Sequence, residues 1–217
     1  PDILSIMEEV LRRGHNLLLL TNAMRPMMRP RIQAGLRALA DVYGKRMVLR
    51  VSLDSYDESL HDAERGTGAF TEACKGLEWL ARQDVRVALA GRQALTEDES
   101  AARAGYGRLA AALGLRLDPS DTAQLVLFPE MIARDDPPEI TTACWQILSK
   151  NPGDIMCASQ RMVIRRKGAE HASVTACTLL VDDPAFELGQ SIKDATVKPV
   201  KLNHPWCASF CVLGGGS

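Results

Sequence analysis

A repeated alternation of helix-like and strand-like segments constrains the fold more than any other feature of this sequence. Apolar residues at helical spacing, closed by glycines such as Gly14 and Gly44, alternate with short apolar runs such as residues 17–20. Helices and strands joined by short connections are typical of βα units on a parallel sheet. Half of a barrel and half of a doubly wound sheet would look alike at this level, so both architectures remain open.

Residues 47–54 form the most informative of the predicted strands. Strict alternation puts apolar side chains on one face and Arg50, Ser52 and Asp54 on the other. In an α/β protein the apolar face lies under helices, so the polar face must meet solvent, a lumen or a ligand. These three side chains therefore either contact a polar ligand or pair with one another at the strand end.

Two connections carry local signals. Asn22 follows the strand at residues 17–20, where either a ligand contact or a turn-forming role is expected. After the polar strand we predict a loop that leads to Phe70. Thr96 and Glu99 are spaced as a capping box, which predicts the start of a further helix.

The pattern changes near Asp135, where acidic residues and prolines interrupt the alternation. Only short strand-like pieces follow, at residues 162–165 and 176–181. We therefore predict a first domain at residues 1–134 and a second at residues 135–217.

Composition excludes several classes of protein. The chain has 217 residues, of which 46% are hydrophobic and 24% charged, so it can bury a sizeable core. Its formal net charge of −1 gives no field that favours nucleic acid or an anionic membrane. No apolar run approaches the roughly 18 residues that cross a bilayer. We expect a cytoplasmic protein with no nucleic-acid or membrane partner.

Six cysteines in a presumed cytoplasmic chain point to metal binding, reactive thiols or packing rather than to disulfides. Cys74 and Cys144 stand apart and are predicted to be core residues. The remaining four fall in the last third of the sequence. They are Cys157, Cys177, Cys207 and Cys211. Four thiolates suit an iron–sulfur cluster or a zinc ion equally well, and purely structural cysteines are the third alternative.

Several motifs carry a family resemblance. The sequence Arg-Val-Ser-Leu-Asp-Ser at residues 50–55, followed by His61-Asp62 and by residues 65–70, resembles the fourth-strand region of radical S-adenosylmethionine enzymes. Residues 17–23 resemble the third strand of these enzymes, which ends in Thr-Asn-Ala. Residues 1–3 resemble the segment just after their Gly-Gly-Glu-Pro motif.

The resemblance implies a partial (β/α) TIM-like barrel, formed by the later strands of a radical S-adenosylmethionine core. It also implies contacts with S-adenosylmethionine on the polar strand and the adjacent loops. The implied contacts are Asn22, Arg50, Ser52, Asp54 and Arg65. A guanidinium fork suits the carboxylate of the cofactor, although pairing of Arg65 with Asp62 or Glu64 is the competing interpretation.

Residues 203–215 are similar to the closing ligand loop of SPASM or twitch auxiliary domains. This similarity implies that a small, cysteine-rich α+β extension follows the barrel and is truncated at its C-terminus. It further implies that the four late cysteines bind an auxiliary [4Fe–4S] cluster.

The activity implied is that of an oxidoreductase that cleaves S-adenosylmethionine reductively and abstracts hydrogen from a small-molecule or peptide substrate. An electron donor such as flavodoxin or ferredoxin would be its partner. The Cys-x3-Cys-x2-Cys triplet and the Gly-Gly-Glu motif are missing from the sequence. We therefore expect an incomplete enzyme, inactive alone, and assign no catalytic residue. The alternatives are a non-catalytic α/β binding module with a structural zinc–cysteine site, or a fragment without independent function.

Overall fold

A computed structural model divides the chain into two compact units, residues 1–130 and residues 131–217. The residues described are 2–83, 85–94, 96–129, 136 and 138–213. The predicted domain boundary between residues 134 and 135 lies outside the described residues. So do Pro1 and residues 214–217, on which parts of the family resemblance rest.

The first unit alternates helices and strands. Its helices are α1 (Ile3–Arg12), α2 (Pro30–Tyr43), α3 (Glu58–Arg65), α4 (Ala69–Ala81) and α5 (Glu99–Ala112), with a 3-10 turn at Gly44–Arg46. Its strands are β1 (Leu17–Thr21), β2 (Met47–Ser52), β3 (Arg86–Gln93) and β4 (Leu125–Pro129). The strands pair in parallel in the order β1-β2-β3-β4. The predicted mixed α/β architecture with a parallel sheet is confirmed for this unit.

The core of this unit lies on one face of the sheet. Leu19, Leu49 and Val87 are register partners on neighbouring strands; Leu49 belongs to the buried cluster into which α1, α2, α4 and α5 pack, and Leu19 and Val87 pack against it. The opposite face is more open: Leu18 and Leu20 of β1 are 46% and 64% exposed. The apolar row predicted for β2 is thus buried under helices, and its polar row lies on the face away from them.

Two local predictions are wrong. The segment between β2 and Phe70 is not a continuous loop, because it contains α3, whose N-terminus is capped by Asp57 through the backbone N–H groups of Ser59 and Leu60. The capping box at Thr96 is not used either. Helix α5 begins at Glu99, and the carboxylate of Asp98 accepts the hydrogen bond from Ser100 N.

The second unit has short elements. Its helices are α6 (Ala143–Ile147), α7 (Met156–Ser159) and α8 (Ile192–Val197), with 3-10 turns at Pro152–Asp154 and Pro184–Phe186 and a π-helix at Cys207–Val212. Its strands β5 (Met162–Ile164), β6 (Ser173–Thr175) and β7 (Glu187–Gly189) form an antiparallel sheet in the order β5-β6-β7. The strand expected at residues 176–181 lies instead at β6.

The elements of this second unit surround a small core that includes Val174, Phe186, Leu188 and Cys207. In neither unit does a described helix have the length and apolar character that a membrane span requires.

Candidate functional site

The carboxylate of Asp54 lies just beyond the end of β2, where it is 8% exposed and bound by two arginines. Arg65 donates to both carboxylate oxygens, with Nη2 3.2 Å from Oδ1, and Arg92 Nε lies 3.4 Å from Oδ1. Burial opposes ionisation, but these arginines, chiefly Arg65, hold the pKa of Asp54 below its usual value of 3.8. Asp54 is therefore an ionised group with its charge already compensated.

The backbone around Asp54 is held as firmly as its side chain. The Tyr106 hydroxyl lies 2.9 Å from the carbonyl oxygen of Leu53 and 3.0 Å from that of Asp54, and it donates to them. The backbone N–H of Asp54 donates to His61 Nδ1 at 3.1 Å. Burial holds the pKa of His61 below its usual value, so the ring is neutral and carries its proton on Nε2.

Glycine at position 91 makes room for this arrangement. A Cβ atom there would lie 2.2 Å from the Tyr106 hydroxyl oxygen. Neither Tyr106 nor His61 had a role predicted from the sequence. A buried tyrosine needs a partner for its hydroxyl, and a β-strand glycine often marks a close approach, so Gly91 was the available signal.

The structure brings Arg65 to Asp54 rather than to its neighbours in sequence. Asp62 caps α4, with its carboxylate oxygens 2.6 Å from Gly68 N and 2.8 Å from Phe70 N. Glu64 lies 3.3 Å from Arg92. The competing interpretation, in which Arg65 pairs with Asp62 or Glu64, is therefore wrong.

Arg50 and Ser52 are the other two members of the polar row. Both are half-buried, and their side chains have fewer hydrogen-bond partners than Asp54. Arg50 Nε is closed off from solvent without a hydrogen-bond partner, and burial lowers the pKa of its guanidinium. The described contacts include no hydrogen bond from the Ser52 hydroxyl. An unpaired buried donor is costly. These two side chains, unlike Asp54, therefore retain hydrogen-bonding capacity.

Asn22 is exposed and takes the turn-forming role that the sequence left open. Its Oδ1 accepts a hydrogen bond from Met24 N at 3.1 Å. The next residue, Ala23, is buried with a φ of 56°. The carbonyl of Ala23 approaches Gly76 of α4 so closely that a Cβ atom on Gly76 would lie 1.8 Å from the Ala23 oxygen.

A concavity of about 500 Å³ lies at the amino ends of the strands, lined in part by Leu18, Val48, Arg50 and Gln124. Ser52, Asp54 and Asn22 do not line it. Parallel α/β sheets bind ligands at the carboxyl ends of their strands. The polar strand end, rather than this concavity, is therefore the candidate site of the first unit.

The four late cysteines lie in or next to three separate elements of the second unit. Cys157 lies in α7, Cys177 follows β6, and Cys207 and Cys211 both lie in the π-helix. Cys207 is buried in the small core, and Cys177 packs against that core. All four are free thiols.

These thiols are close enough to influence one another. The pKa of Cys211 is raised to about 11, first by burial and then by repulsion from the other three thiols. Burial also raises the pKa of Cys157, to which Cys207 and Cys177 add, and that of Cys207, to which Cys177 adds. Sequence segments far apart thus bring four thiols into one neighbourhood.

The thiols do not, however, take the spacing that a single ion requires. Among the described residues, no group of three or more His, Cys, Asp or Glu side chains is arranged to hold a metal ion. Zinc binds sulfur at about 2.3 Å, so its thiolates lie within about 4 Å of one another. At physiological salt, charges interact appreciably over separations of up to about 8 Å, which is longer than the sulfur–sulfur spacing of such a site. The four thiols therefore share a neighbourhood without a preformed mononuclear site.

Searches of protein-family models, curated proteins and solved structures find no match to this chain.

Proposed function

We propose that this chain is the later part of a radical S-adenosylmethionine enzyme, with an auxiliary [4Fe–4S] cluster bound by Cys157, Cys177, Cys207 and Cys211. The observation that carries the proposal is that these four free thiols, which lie in or next to three elements of the second unit, influence one another electrostatically. Iron–sulfur clusters are held by four cysteine thiolates. A cluster of four irons is also larger than one ion, which suits thiols that lie close together without the spacing of a zinc site.

The first unit supports the barrel in this proposal. A doubly wound sheet is covered by helices on both faces, whereas a barrel is covered only on the outside. Here α1, α2, α4 and α5 share one face. The polar row of β2 lies on the other, which would be the interior of a TIM-like barrel.

Side chains that lack hydrogen-bond partners within the protein are the ones best suited to bind S-adenosylmethionine. Arg50 and Ser52 retain hydrogen-bonding capacity and would bind its polar groups, with Asn22 at the adjacent strand end. Asp54 and Arg65 compensate each other, so their role would be to fix the end of β2 rather than to contact the cofactor. When bound, S-adenosylmethionine would supply the radical chemistry that abstracts hydrogen from the substrate.

The rest of the proposal follows the family resemblance. The substrate would be a small molecule or a peptide, and flavodoxin or ferredoxin would supply electrons. Six free thiols suit a reducing compartment, so we propose a cytoplasmic location. Without the three-cysteine triplet, this chain would not start the reaction alone.

Anaerobic reconstitution of the full chain with ferrous iron and sulfide tests the proposal. We expect iron and sulfide to bind in equal amounts, with the visible absorption of an iron–sulfur cluster. Cys177→Ser should lose this cluster. Cys74→Ser is the matched control, because Cys74 is also a half-buried thiol whose pKa burial raises to about 11, but it lies on α4 of the first unit.

Stoichiometric zinc in place of iron and sulfide would contradict the proposal and favour the non-catalytic, zinc-stapled module. Equal metal binding by wild type and Cys177→Ser would show that the four thiols are structural.

A further inference from the structure

The concavity at the amino ends of the strands of the first unit is lined by more positive than negative side chains. Its charged lining residues are Arg50, Arg86, Arg116 and Asp121. Apart from two glutamines, the other side chains of the lining are apolar. A volume of about 500 Å³ is within the usual range for a small-molecule site. The lining therefore suits a small molecule that combines an anionic group with an apolar body.

Arg50 carries a charge that nothing in the described part of the chain compensates. Its Nε is closed off from solvent, and the described residues offer its guanidinium neither a hydrogen bond nor an ion pair. By contrast, Arg103, another half-buried arginine of this unit, forms an ion pair with Glu99 at 2.7 Å. Burying a cation without a partner is unfavourable. An anion bound at Arg50 would relieve this cost.

The strand register brings Arg86 next to Arg50. Arg50 on β2 is the partner of Ala88 on β3, and Arg86 lies two residues before Ala88, so both arginines lie on the same face of the sheet. The spacing of strands and the rise per residue put their Cα atoms about 8 Å apart, within reach of charge–charge interaction at physiological salt. Two like charges so placed repel each other, and an oxyanion between them would replace this repulsion by attraction.

The other groups around the concavity do not neutralise this pair. Arg86 donates to the carbonyl oxygen of Lys45 at 3.3 Å, and among the described residues it has no carboxylate partner. The Asp121 carboxylate accepts its hydrogen bonds from Ala123 N and Gln124 Nε2, both at 2.8 Å, and pairs with no cation in the described ranges. The concavity therefore keeps its excess of positive charge.

We propose that this concavity is a second ligand site, which binds a small organic oxyanion through the guanidinium of Arg50. The ligand would be a carboxylate or a phosphate monoester with an apolar body. A guanidinium fork matches two oxygens of either group, while Arg86 and Arg116 add positive charge. The inference goes beyond the proposed function. Arginine has five N–H donors, so this ligand does not exclude the proposed contact of Arg50 with S-adenosylmethionine.

Titration calorimetry of the full chain, without metal or S-adenosylmethionine, tests the proposal with hexanoate, hexyl phosphate and 1-hexanol as probes. At least one of the two anions should bind about tenfold or more tightly than the alcohol, and the tighter anion identifies the head group. Arg50→Met should lose this advantage, because a hydrogen-bonded charge contributes about tenfold or more. Arg50→Lys, which keeps the charge without the fork, should be intermediate.

Arg46→Met is the matched control. Arg46 is also half-buried and lies just before β2, but its guanidinium donates to the carbonyl oxygen of Leu11 at 2.9 Å, and it does not belong to the described lining of the concavity. This variant should bind the anions as the wild type does.

Thermal unfolding of the ligand-free chain gives a readout that needs no probe. Arg50→Met removes an uncompensated charge, so its melting temperature should equal or exceed that of the wild type. Arg46→Met removes a partnered donor and should lower it. A melting temperature that falls in Arg50→Met as far as in Arg46→Met would mean that Arg50 has a structural partner, which would overturn the inference.

Three binding results would also overturn it. These are no detectable binding of either anion, equal affinity of the wild type for the anions and 1-hexanol, and equal anion affinity in the wild type and Arg50→Met. Because no metal or cofactor enters the titration, these results leave the proposed function standing. A failure of iron and sulfide to bind would in turn leave this inference standing.

Discussion

The end of β2 and the late thiols are both groups of polar side chains in partly buried surroundings, but they differ in how their atoms are partnered. Both oxygens of the Asp54 carboxylate, its backbone N–H and its carbonyl all have partners within the first unit. The thiols have few hydrogen-bond partners. Among the described residues, one hydrogen bond reaches the four sulfurs, from Leu179 N to Cys177 Sγ at 3.4 Å. The Asp54 group is therefore fully partnered within the first unit, whereas three of the four thiols have no described hydrogen bond to their sulfur.

This difference indicates where a ligand would add stability. The negative charge of a buried carboxylate must be compensated whether or not a ligand is bound, and Arg65 and Arg92 provide the positive charge. Thiols with raised pKa values are neutral near pH 7 and behave as small apolar side chains until a metal displaces their protons. The stability of the first unit should therefore depend mainly on its own residues, and the stability of the second unit on added metal.

The largest effect is expected from Gly76→Ala, which tests how tightly the first unit is packed. The new methyl would meet the Ala23 carbonyl, a backbone atom that cannot rotate away. We expect the free energy of unfolding to fall by about 3 kcal/mol or more, which exceeds the gain of about 1 kcal/mol from replacing a helical glycine. Urea titration with hydrogen exchange resolved by peptide would measure it.

Gly107→Ala is the matched control for that substitution. Gly107 also lies in a helix, α5, but its Cβ would meet side-chain atoms of Pro119, with Cγ at 3.0 Å and Cβ at 3.4 Å, so the proline ring would need to shift by only a few tenths of an ångström. We expect a change of less than about 1 kcal/mol. Unchanged exchange at residues 17–24 in Gly76→Ala would mean that the Asn22 turn is not held by α4.

An intermediate effect is expected from Asp54→Asn, which removes the charge but keeps the shape. Loss of one partner of a buried ion pair costs about 3–5 kcal/mol. Here the arginines are 42% and 46% exposed, so solvent screens them and we expect about 2 kcal/mol at pH 7. Glu64→Gln, which also removes a partner of Arg92 but at an exposed position, should cost less than about 1 kcal/mol.

The same variant has a defined pH signature. Because the pKa of Asp54 is lower in the folded chain than its usual value of 3.8, its contribution is fully present above pH 3.8. This stabilisation is lost as the pH falls below 3.8 and through the pKa of Asp54 in the folded chain. The free energy of unfolding of Asp54→Asn should therefore decline less steeply in that range than that of the wild type. The decline that begins below pH 6.5, where the depressed pKa of His61 acts, should remain in both proteins. If the free energy of unfolding falls equally steeply with pH below 3.8 in the wild type and the variant, the role of Asp54 is contradicted.

Hydrophobic periodicity predicted the first unit well, because its strands are apolar runs between amphipathic helices. The expected strand at residues 17–20 is observed as Leu17–Thr21. Helix α3 was missed because its segment is mostly polar and buries His61 alone, so the Asp57 cap was its only strong signal. In the second unit the strands have three residues each, too few to show a period.

The contacts of the polar strand were less predictable than its position. Spacing suggested that Arg65 would pair with Asp62 or Glu64, but α3 and the turn after it bring Arg65 back to Asp54. Such a pairing depends on tertiary structure, as does the hydrogen bond of Tyr106 to Leu53, which is 53 residues away in sequence. The grouping of the late cysteines in one unit did follow from the sequence, whereas the absence, among the described residues, of an arrangement that could hold a metal ion did not.

The smallest effect on the metal-free protein is expected from Cys211→Ser, and it tests the thiol side of the comparison. Cys211 is half-buried, and near pH 7 its thiol is neutral because its pKa is about 11, so a hydroxyl of similar size should change the free energy of unfolding by less than about 1 kcal/mol. After reconstitution with iron and sulfide, the wild-type second unit should gain protection against hydrogen exchange that Cys211→Ser lacks. A loss of several kcal/mol without metal would instead mean that Cys211 is a core residue. The end of β2 and the late thiols would then differ in charge but not in how far their stability depends on a ligand.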